Sequence, residues 1–248
     1  MNVRVYPTAG EASRAAASIV ANQLNHRPAS VLGLPTGHTS LGIYDELARL
    51  YAEGTVDFSS AHTFNVDEFV GLTSTDRRSF CAFMEKHLFR RINLPKEHIH
   101  FLNGHAPDLD AECETFEREI SDAGGMDLLL LGVGANGHIG FNEPGTVLHA
   151  RSHRAKLTLE TRRANADSFG GRLTAVPKEA LTMGVGTMID AQAIVLVATG
   201  RAKARAVQSM FTGRITTARP ASLLQLHKNV EVILDLASAE KSFPDRVV

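Results

Sequence analysis

The segment LLLLGVGANGHIGFNEPG, residues 128–145, joins four consecutive leucines to a loop that contains five glycines. A short, continuous apolar run of this kind predicts a strand buried on both faces of a parallel sheet. The loop after it carries Asn136, His138 and Glu143, three groups that can form hydrogen bonds or move protons. The segment therefore predicts an α/β protein with polar chemistry at the end of a buried strand.

The rest of the chain repeats this alternation of apolar runs and helical segments. The runs are NVRVY, SVLGL, HTFNV, HIHFL, MDLLLLGVG, AIVLVAT and VEVIL, and the helical segments include EASRAAASIVANQLN, SLGIYDELARLYAEG, DAECETFEREISDAG and RAKARAVQSM. Such alternation predicts a three-layer, Rossmann-like α/β fold, in which a mostly parallel sheet carries helices on both faces. Because no linker or low-complexity segment divides the sequence, we expect one domain over residues 1–248.

The composition favours a small-molecule partner. The 26 Lys and Arg nearly balance the 27 Asp and Glu, so no overall field indicates nucleic acid or an anionic membrane. We expect a cytoplasmic protein, because the first residues do not resemble a signal peptide and no apolar run approaches the roughly 18 residues of a membrane span. The two cysteines, Cys81 and Cys113, lack the spacing of a zinc site or a disulfide framework. We therefore expect neither a metal nor a cofactor.

Ligands of parallel sheets bind beyond the carboxyl ends of the strands, so the loops after the predicted strands are the places to search. In GLPTGHTSLG, residues 33–42, a helix that begins near Thr39 or Ser40 would point backbone N–H groups at an anion. A capped turn without a ligand explains this segment equally well. Lys203 lies in the first turn of a predicted helix, where an anionic ligand would explain a cation. Taken alone, a solvated surface lysine is the simpler explanation.

A second loop, FNVDEFVGL at residues 64–72, places Asp67 at the carboxyl end of a predicted strand. A carboxylate beside apolar neighbours loses hydration, which raises its pKa and suits it to act as a base. The alternative is an aspartate that caps the next turn. Glu68 is interpreted as either a second polar group of this loop or a structural partner of an arginine.

The third loop is the glycine-rich segment that follows the four leucines, residues 132–145. His138 is the residue type best suited to proton transfer near neutral pH. Asn136 and Glu143 are close enough in sequence to hydrogen-bond its imidazole and to fix the tautomer and orientation of the ring. A structural histidine is the alternative, but the flanking amide and carboxylate favour catalysis. Since no GxSxG nucleophile motif occurs, we predict acid–base chemistry on a phosphorylated metabolite.

Several segments together resemble the glucosamine-6-phosphate deaminase (glucosamine-6-phosphate isomerase) family over nearly the whole chain. They are PTGHTSLGIY, FNVDEFVGL, HFLNGHAPDLDAEC, LLGVGANGHIGFNEPG, VPKEALTMGVGTMIDA and LLQLH. The resemblance implies that glucosamine 6-phosphate and water become fructose 6-phosphate and ammonia. It further implies that His138 opens the pyranose ring, assisted by Glu143 and Asn136. Asp67 would then move a proton from C2 to C1 through an enol-type intermediate.

The same resemblance implies a substrate site built around a phosphate group. The residues expected to bind the substrate there are Thr36, Gly37, His38, Thr39, Gly137 and Lys203. The chain departs from the family pattern at His38, where a small residue is usual, and at Asp167, where an arginine that contacts the phosphate is usual. We expect Arg163 or Arg172 to replace that arginine, unless the substrate is a different sugar.

Two other functions are compatible with this kind of sequence. One is a hydrolase of a sugar lactone, similar to 6-phosphogluconolactonase, and the other is a non-catalytic sensor of sugar phosphates. The NEPG segment after the histidine and the DEFVGL segment favour the deaminase over the lactonase. The combination of Asp67, His138 and Glu143, with no expected DNA-binding extension, argues against the sensor. We expect a sugar phosphate as the small-molecule partner, no nucleic acid or membrane partner, and a monomer or small homo-oligomer.

Overall fold

The computed structural model describes residues 1–243, and the last five positions of the predicted domain, 244–248, lie outside the described residues. The strands are β1 (Asn2–Tyr6), β2 (Val31–Leu34), β3 (His62–Asn65), β4 (Asp67–Phe69), β5 (Ile99–His100), β6 (Leu128–Gly132), β7 (His153–Lys156), β8 (Glu179–Thr182), β9 (Ala193–Ala198) and β10 (Val230–Asp235). The α-helices are α1 (Ala9–His26), α2 (His38–Ala52), α3 (Phe80–His87), α4 (Leu109–Asp122), α5 (Leu159–Ala164), α6 (Val185–Ile189), α7 (Ala204–Met210) and α8 (Leu236–Ala239).

Seven of these strands form one parallel sheet in the order β1-β10-β9-β6-β2-β3-β5. Each of the seven apolar runs in the sequence contains one of them, so the predicted α/β fold with a mostly parallel sheet is confirmed. Helices flank the sheet on both faces and enclose two separate apolar cores. None of the helices within residues 1–243 is long and apolar enough to cross a membrane.

Strand β6 shows why four consecutive leucines suit the centre of this sheet. Side chains of a strand alternate between its two faces. Leu128 and Leu130 pack in the core that contains α1 and α2, whereas Leu129 and Leu131 pack in the core that contains α4. All four are at most 3% exposed, because helices cover both faces of the strand. The run therefore stabilises both cores and directs the loop after Gly132 out of the sheet.

Helix α1 illustrates how the local sequence sets an element that covers the sheet. Thr8 begins the helix, because its hydroxyl accepts the N–H of Glu11 at 3.2 Å. Ala16, Val20 and Leu24 follow at intervals of one helical turn and are at most 1% exposed. This apolar face packs against α2, β9 and β10.

A second, antiparallel sheet of three strands in the order β4-β8-β7 was absent from the predicted fold. Only Val66 separates β3 from β4, so the chain passes directly from the large sheet into the small one. Strand β4 has three residues, and two of them are acids, which is why its sequence indicated a loop. The small sheet packs on an aromatic core that includes Phe69, Phe141 and Phe169. It also places Asp67 opposite Thr182.

The edge of the large sheet at β5 carries a cluster of imidazole rings. The His62 and His98 rings stack with their centroids 3.9 Å apart, and the His100 ring stacks on Phe64 at 4.3 Å. His100 Nδ1 also lies 3.1 Å from Glu119 Oε2. Burial, together with the charges that the two neighbouring imidazoles can carry, lowers the pKa of His62. The neutral form of the His62 imidazole is therefore favoured at the sheet edge.

Candidate active site

The carboxyl ends of β2, β3, β6 and β9 open onto one pocket of about 410 Å³. The four loops that follow these strands line it, as expected for the position of a ligand in a parallel sheet. Helix α3 and the segment around α5 complete its walls. A larger groove of about 920 Å³ lies beside α4, but none of the predicted site residues lines it. We place the candidate active site at the strand ends, because acidic and basic side chains and the first turn of α2 converge there.

Asp67 lines this pocket as the first residue of β4. Only 7% of its surface is exposed. Burial, and secondarily the negative charge of Glu68, raises the pKa of Asp67 to about 8. The alternative role as a turn cap does not apply, since Asp67 is a strand residue paired with Thr182. Asp67 therefore has the position and the proton affinity of a general base.

This buried carboxyl should reduce the stability of the folded protein above acidic pH. The unfolded Asp67 ionises near its ordinary pKa of 3.8, whereas the folded one keeps its proton up to a pKa of about 8. Stability contributed by this group is present below the lower pKa and is lost as the pH rises through the higher one. We expect Asp67→Asn to be more stable than the wild type at pH 8 by a few kcal/mol, on the scale of about 1.4 kcal/mol per pKa unit.

Urea unfolding of both proteins at pH 4, 6 and 8 would measure this gain. The difference between variant and wild type should be smallest at pH 4 and should grow towards pH 8. An equal difference at all three pH values would contradict the raised pKa, because the asparagine would then act through packing alone.

Within residues 1–243, Glu68 bonds to backbone N–H groups and pairs with no arginine, contrary to one interpretation of the sequence. Its carboxylate is 3% exposed and accepts backbone N–H groups of Phe69 at 2.8 Å, Phe80 at 3.0 Å and Cys81 at 3.0 Å. Burial raises the pKa of Glu68 to about 7, although these three hydrogen bonds act in the opposite direction. Glu68 thus binds the first turn of α3, whose residue Phe80 lines the pocket.

His138 is held from behind by a polar network. Its Nδ1 lies 3.6 Å from Glu143 Oε2 and 3.4 Å from Thr161 Oγ1. Asn136 donates to Glu143 Oε2 at 2.9 Å, and its Oδ1 accepts the backbone N–H of His138 at 3.1 Å. The N–H and hydroxyl of Thr158 donate to Glu143 Oε1 at 3.2 and 3.1 Å. Asn136 therefore orients Glu143 and the loop through hydrogen bonds to the Glu143 carboxylate and the His138 backbone, and not through the predicted hydrogen bond to the imidazole.

Glu143 is well suited to fix the tautomer of His138. Burial alone would raise the pKa of Glu143, but hydrogen bonds from His138, Thr161 and Asn136 outweigh it and lower the pKa to about 2. The carboxylate therefore stays ionised and favours a proton on Nδ1 of the imidazole. Nε2 is then the nitrogen that can accept a proton from a ligand. Glu143 itself lies behind the ring and does not line the pocket, whereas His138 and Asn136 do.

Two positions of the loop are occupied by glycine for different structural reasons. A Cβ atom on Gly134 would lie 2.2 Å from Cε1 of His138, so only glycine leaves room for the imidazole. Gly137 has a φ of 91°. Its N–H donates to the Gly134 carbonyl, and its own carbonyl accepts the N–H of Ala221. Gly137 is not among the residues that line the pocket, and it forms this tight turn, so its contact with the substrate stays a prediction.

The start of helix α2, which also lines the pocket, has the character of an anion site. Helix α2 begins at His38 after Gly37, which has a φ of 114°, and no side chain caps it. The first N–H groups of a helix lack intrahelical acceptors and are available to an anion. Thr36, Gly37, His38 and Thr39 all line the pocket. The Tyr44 hydroxyl donates to the carbonyl of Pro35 and so fixes this turn from below.

Lys203 lines the same pocket from the turn after β9. Desolvation by burial lowers its pKa, although the charge of Glu160 partly opposes this effect. The turn is held because the N–H of Gly200 donates to both carboxylate oxygens of Asp235 at 3.0 Å. An anion bound beside Lys203 would compensate for the lost hydration of its ammonium group.

The residues proposed to replace the usual arginine lie elsewhere. Arg163 and Arg172 are exposed and neither lines the pocket, so the expectation that one of them substitutes is not supported. Asp167 is also exposed and outside the pocket wall, in the 3₁₀ turn Ala166–Phe169. Its carboxylate therefore does not oppose an anion in the site.

Sequence reasoning missed several residues that complete the site. Thr158 and Thr161 hold the Glu143–His138 pair, and they come from α5 and the residue before it, at least 15 positions away from Glu143. The Thr158 hydroxyl caps α5 by accepting the N–H of Thr161, three residues later. In the sequence, this spacing indicates only the start of a helix. Phe80 and Glu160 line the pocket from α3 and α5, and no local signal marked them.

Comparisons with known proteins show which proteins the chain resembles. Residues 7–234 match the profile of a protein family described as glucosamine-6-phosphate isomerases/6-phosphogluconolactonase. The chain is 44% identical over 229 residues to a glucosamine-6-phosphate deaminase of Thermoanaerobacter sp. (strain X514), which covers 92% of this chain and 90% of that protein. It is also 44% identical over 232 residues to glucosamine-6-phosphate deaminase 2 of Bacillus subtilis (strain 168), which covers 93% of each.

Solved structures show the same relationship. A structure described as a monomeric glucosamine-6-phosphate deaminase superposes with a TM-score of 0.94 at 40% identity, over 97% of this chain and 100% of the other. The 6-phosphogluconolactonase from Trypanosoma brucei superposes with a TM-score of 0.76 at 20% identity, over 97% and 98% of the two chains. The likeness to the 6-phosphogluconolactonase shows only that the two chains share a fold.

Proposed function

We propose, since the chain belongs to the family of glucosamine-6-phosphate isomerases and 6-phosphogluconolactonases, that it converts glucosamine 6-phosphate and water to fructose 6-phosphate and ammonia. The observation that carries the proposal is that Asp67 and His138 face one pocket from the loops after β3 and β6, on either side of β2. Asp67 suits the removal of a proton from carbon, and His138 suits the removal of a proton from a hydroxyl. The identity of 44% to deaminases over most of the chain supports the same reaction.

The proposed reaction begins with opening of the pyranose ring. His138 Nε2 takes the proton of the C1 hydroxyl and delivers a proton to the ring oxygen, so that C1 becomes an aldehyde. Glu143, held by Asn136 and Thr158, keeps the imidazole in the tautomer that this transfer needs. Because the Glu143 carboxylate is ionised, it also stabilises the imidazolium that forms during the transfer.

The second stage moves a proton between carbons. Asp67 takes the proton from C2, and the C1 carbonyl oxygen gains a proton released by the substrate's own ammonium group at C2, which gives an enol-type intermediate that carries an amino group. The same carboxyl then returns the proton to C1, and the C2–N bond becomes an imine. Water adds to this imine and ammonia leaves, which gives the ketose. The raised pKa of Asp67, about 8, suits this role because a stronger base abstracts a proton from carbon more readily.

The phosphate group is proposed to lie at the start of α2. Its oxygens would accept the N–H groups of residues 37–39 and the hydroxyls of Thr36 and Thr39, with Lys203 supplying a positive charge. His38 adds an imidazole at this end, where related proteins usually have a small residue. This set of donors gathers positive potential without the arginine that position 167 lacks. We also propose a monomer or small homo-oligomer with a single catalytic domain.

The experiment that tests the function compares two substrates. We expect the purified protein to release ammonia from glucosamine 6-phosphate and to show no hydrolysis of 6-phosphogluconolactone above the spontaneous rate. Hydrolysis of the lactone without ammonia release would favour the lactonase. Binding of glucosamine 6-phosphate without turnover, measured by calorimetry, would favour the sensor. Unphosphorylated glucosamine serves as a third substrate that tests the phosphate site.

Lys203→Met should raise the KM for glucosamine 6-phosphate by roughly tenfold or more, with little change in kcat. The methionine keeps the apolar stem but removes a charge-assisted contact to the phosphate, which is worth about 1.5 to 3 kcal/mol. Steady-state ammonia release measures both constants. An unaltered KM would contradict the placement of the phosphate beside Lys203.

Two variants serve as controls for this prediction. Arg201 lies in the same turn but is 81% exposed and pairs with Glu240 at 3.3 Å, so Arg201→Met should leave KM unchanged. Asp167→Arg should leave KM unchanged or lower it, since the exposed position 167 can only add positive potential near the site.

A further inference from the structure

Glu68 is a buried carboxylate beside the proposed base, and the reaction described above does not use it. Adjacent residues of a strand point to opposite faces, so Asp67 faces the pocket and Glu68 faces the first turn of α3. Both side chains are at most 7% exposed. Burying two consecutive acidic side chains costs free energy, because both carboxyl groups lose hydration. Favourable interactions of Glu68 must therefore compensate for its burial.

Capping of α3 alone does not require this carboxylate. Ser79 already caps the helix, because its hydroxyl accepts the N–H of Ala82 at 3.0 Å. Glu68 accepts the N–H groups of Phe80 and Cys81, the first two residues of the helix. Its two carboxylate oxygens accept three backbone N–H groups in all, and the glutamate also brings an ionisable group next to Asp67.

We propose that Glu68 is a positioning residue with two effects, which rest on the proposed function: it fixes the pocket wall at Phe80, and its negative charge makes the neighbouring Asp67 a stronger base. The first effect follows from its hydrogen bonds to the start of α3, whose Phe80 ring packs on Phe69 at a centroid distance of 4.6 Å. The second follows from repulsion between two charges in a poorly solvated site.

The electrostatics around the pair support the second effect. Burial is the larger cause that raises the pKa of Asp67, and the charge of Glu68 is the second cause. The negative charge of Asp76, which pairs with Arg78 at 2.6 Å, contributes to the raised pKa of Glu68. Burial is the main cause that raises the pKa of the Cys81 thiol, and the charge of Glu68 is the second cause. The other titratable groups on the Asp67 side are Tyr44, beneath the pocket, and the pocket-lining His38, His138, Glu160 and Lys203.

The pH profile of kcat/KM tests the charge effect. Activity should fall on the acidic side as Asp67 of the free enzyme becomes protonated. Glu68→Gln removes the repulsion, so Asp67 should lose its proton more easily and the acidic limb should move to lower pH by about half a unit or more. The weaker base should also lower the plateau of kcat/KM by about threefold to tenfold.

Two matched variants separate charge from structure. Ser79→Ala weakens the same helix end without removing a charge, so it should lower the unfolding midpoint and leave the acidic limb in place. Glu68→Asp keeps the charge on a shorter side chain, so its acidic limb should stay close to that of the wild type. An acidic limb of Glu68→Gln that coincides with the wild-type limb would overturn the proposal, since Glu68 would then only cap α3.

A direct titration keeps the proposal testable if Glu68→Gln does not fold or the chain has no deaminase activity. Carbon-13 NMR of the wild type, with signals assigned through Asp67→Asn, follows both carboxyl groups as the pH changes. Coupled titration steps of Asp67 and Glu68 are expected. Independent, single-step titrations would overturn the inference. Absent ammonia release together with coupled titration would refute the proposed function and leave the electrostatic coupling intact.

Discussion

Asp67→Asn is expected to reduce the rate of ammonia release from glucosamine 6-phosphate by more than about 10²-fold, the effect typical of removing a general base. An asparagine keeps the shape of the side chain but cannot accept the C2 proton. The substitution also replaces a buried carboxyl group whose ionisation destabilises the folded state, so the variant should remain folded. Ammonia release by the purified protein at pH 8, with circular dichroism to confirm the fold, measures the result.

Substrate deuterated at C2 shows whether the variant is slow for the expected reason. If Asp67 breaks the C2–H bond, any residual activity of Asp67→Asn should show a full primary isotope effect, because that bond then limits the rate. The KM should change little, since the phosphate and the sugar hydroxyls keep their contacts. Turnover within a few-fold of the wild type would show that another group is the base.

His138→Gln should also lose more than about 10²-fold in activity, but at a different step. Glutamine can hydrogen-bond to the sugar, yet it cannot accept and return a proton at neutral pH. Ring opening should then limit the reaction, so the C2 deuterium isotope effect should become smaller than in the wild type. This is the opposite of the result expected for Asp67→Asn. The pair of variants thus assigns each residue to its own step.

Two further variants test whether the loss of activity in His138→Gln is specific to this histidine and to its network. His26→Gln changes an exposed histidine of α1 and should leave activity unaltered. Glu143→Gln keeps the imidazole but removes the carboxylate 3.6 Å from its Nδ1, so its loss should approach that of His138→Gln. A fully active Glu143→Gln would refute the role of this network in setting the tautomer.

The layout of the large sheet followed from the sequence, because its strands have an unambiguous apolar pattern. Leu128 to Leu131 could fill two cores only in a strand covered on both faces. The small sheet did not follow, since β4 consists of Asp67, Glu68 and Phe69 and is stable only through its antiparallel partner β8, more than a hundred residues later. Such a pairing depends on the tertiary fold and leaves no local periodicity.

The candidate site was predictable to the extent that its residues lie at strand ends. Asp67 and His138 reach the same pocket because β3 and β6 run parallel on either side of β2. Contacts that depend on side-chain direction were not predictable. Asn136 lies two residues before His138, yet it turns to Glu143, and Gly137 bonds within its own turn. Residue spacing limits which groups can meet but does not determine which of them do.

The short strand β5 has a consequence for self-association of the folded protein. An edge strand exposes unpaired N–H and C=O groups that can template pairing with another molecule, and long, flat, apolar edges are prone to aggregate. Here the edge consists of Ile99 and His100 alone, and the rings of His62 and His98 stack beside it. A stretch of two residues offers a second chain too few hydrogen bonds to add a strand. The brevity of β5 therefore protects this end of the sheet from intermolecular β-sheet growth.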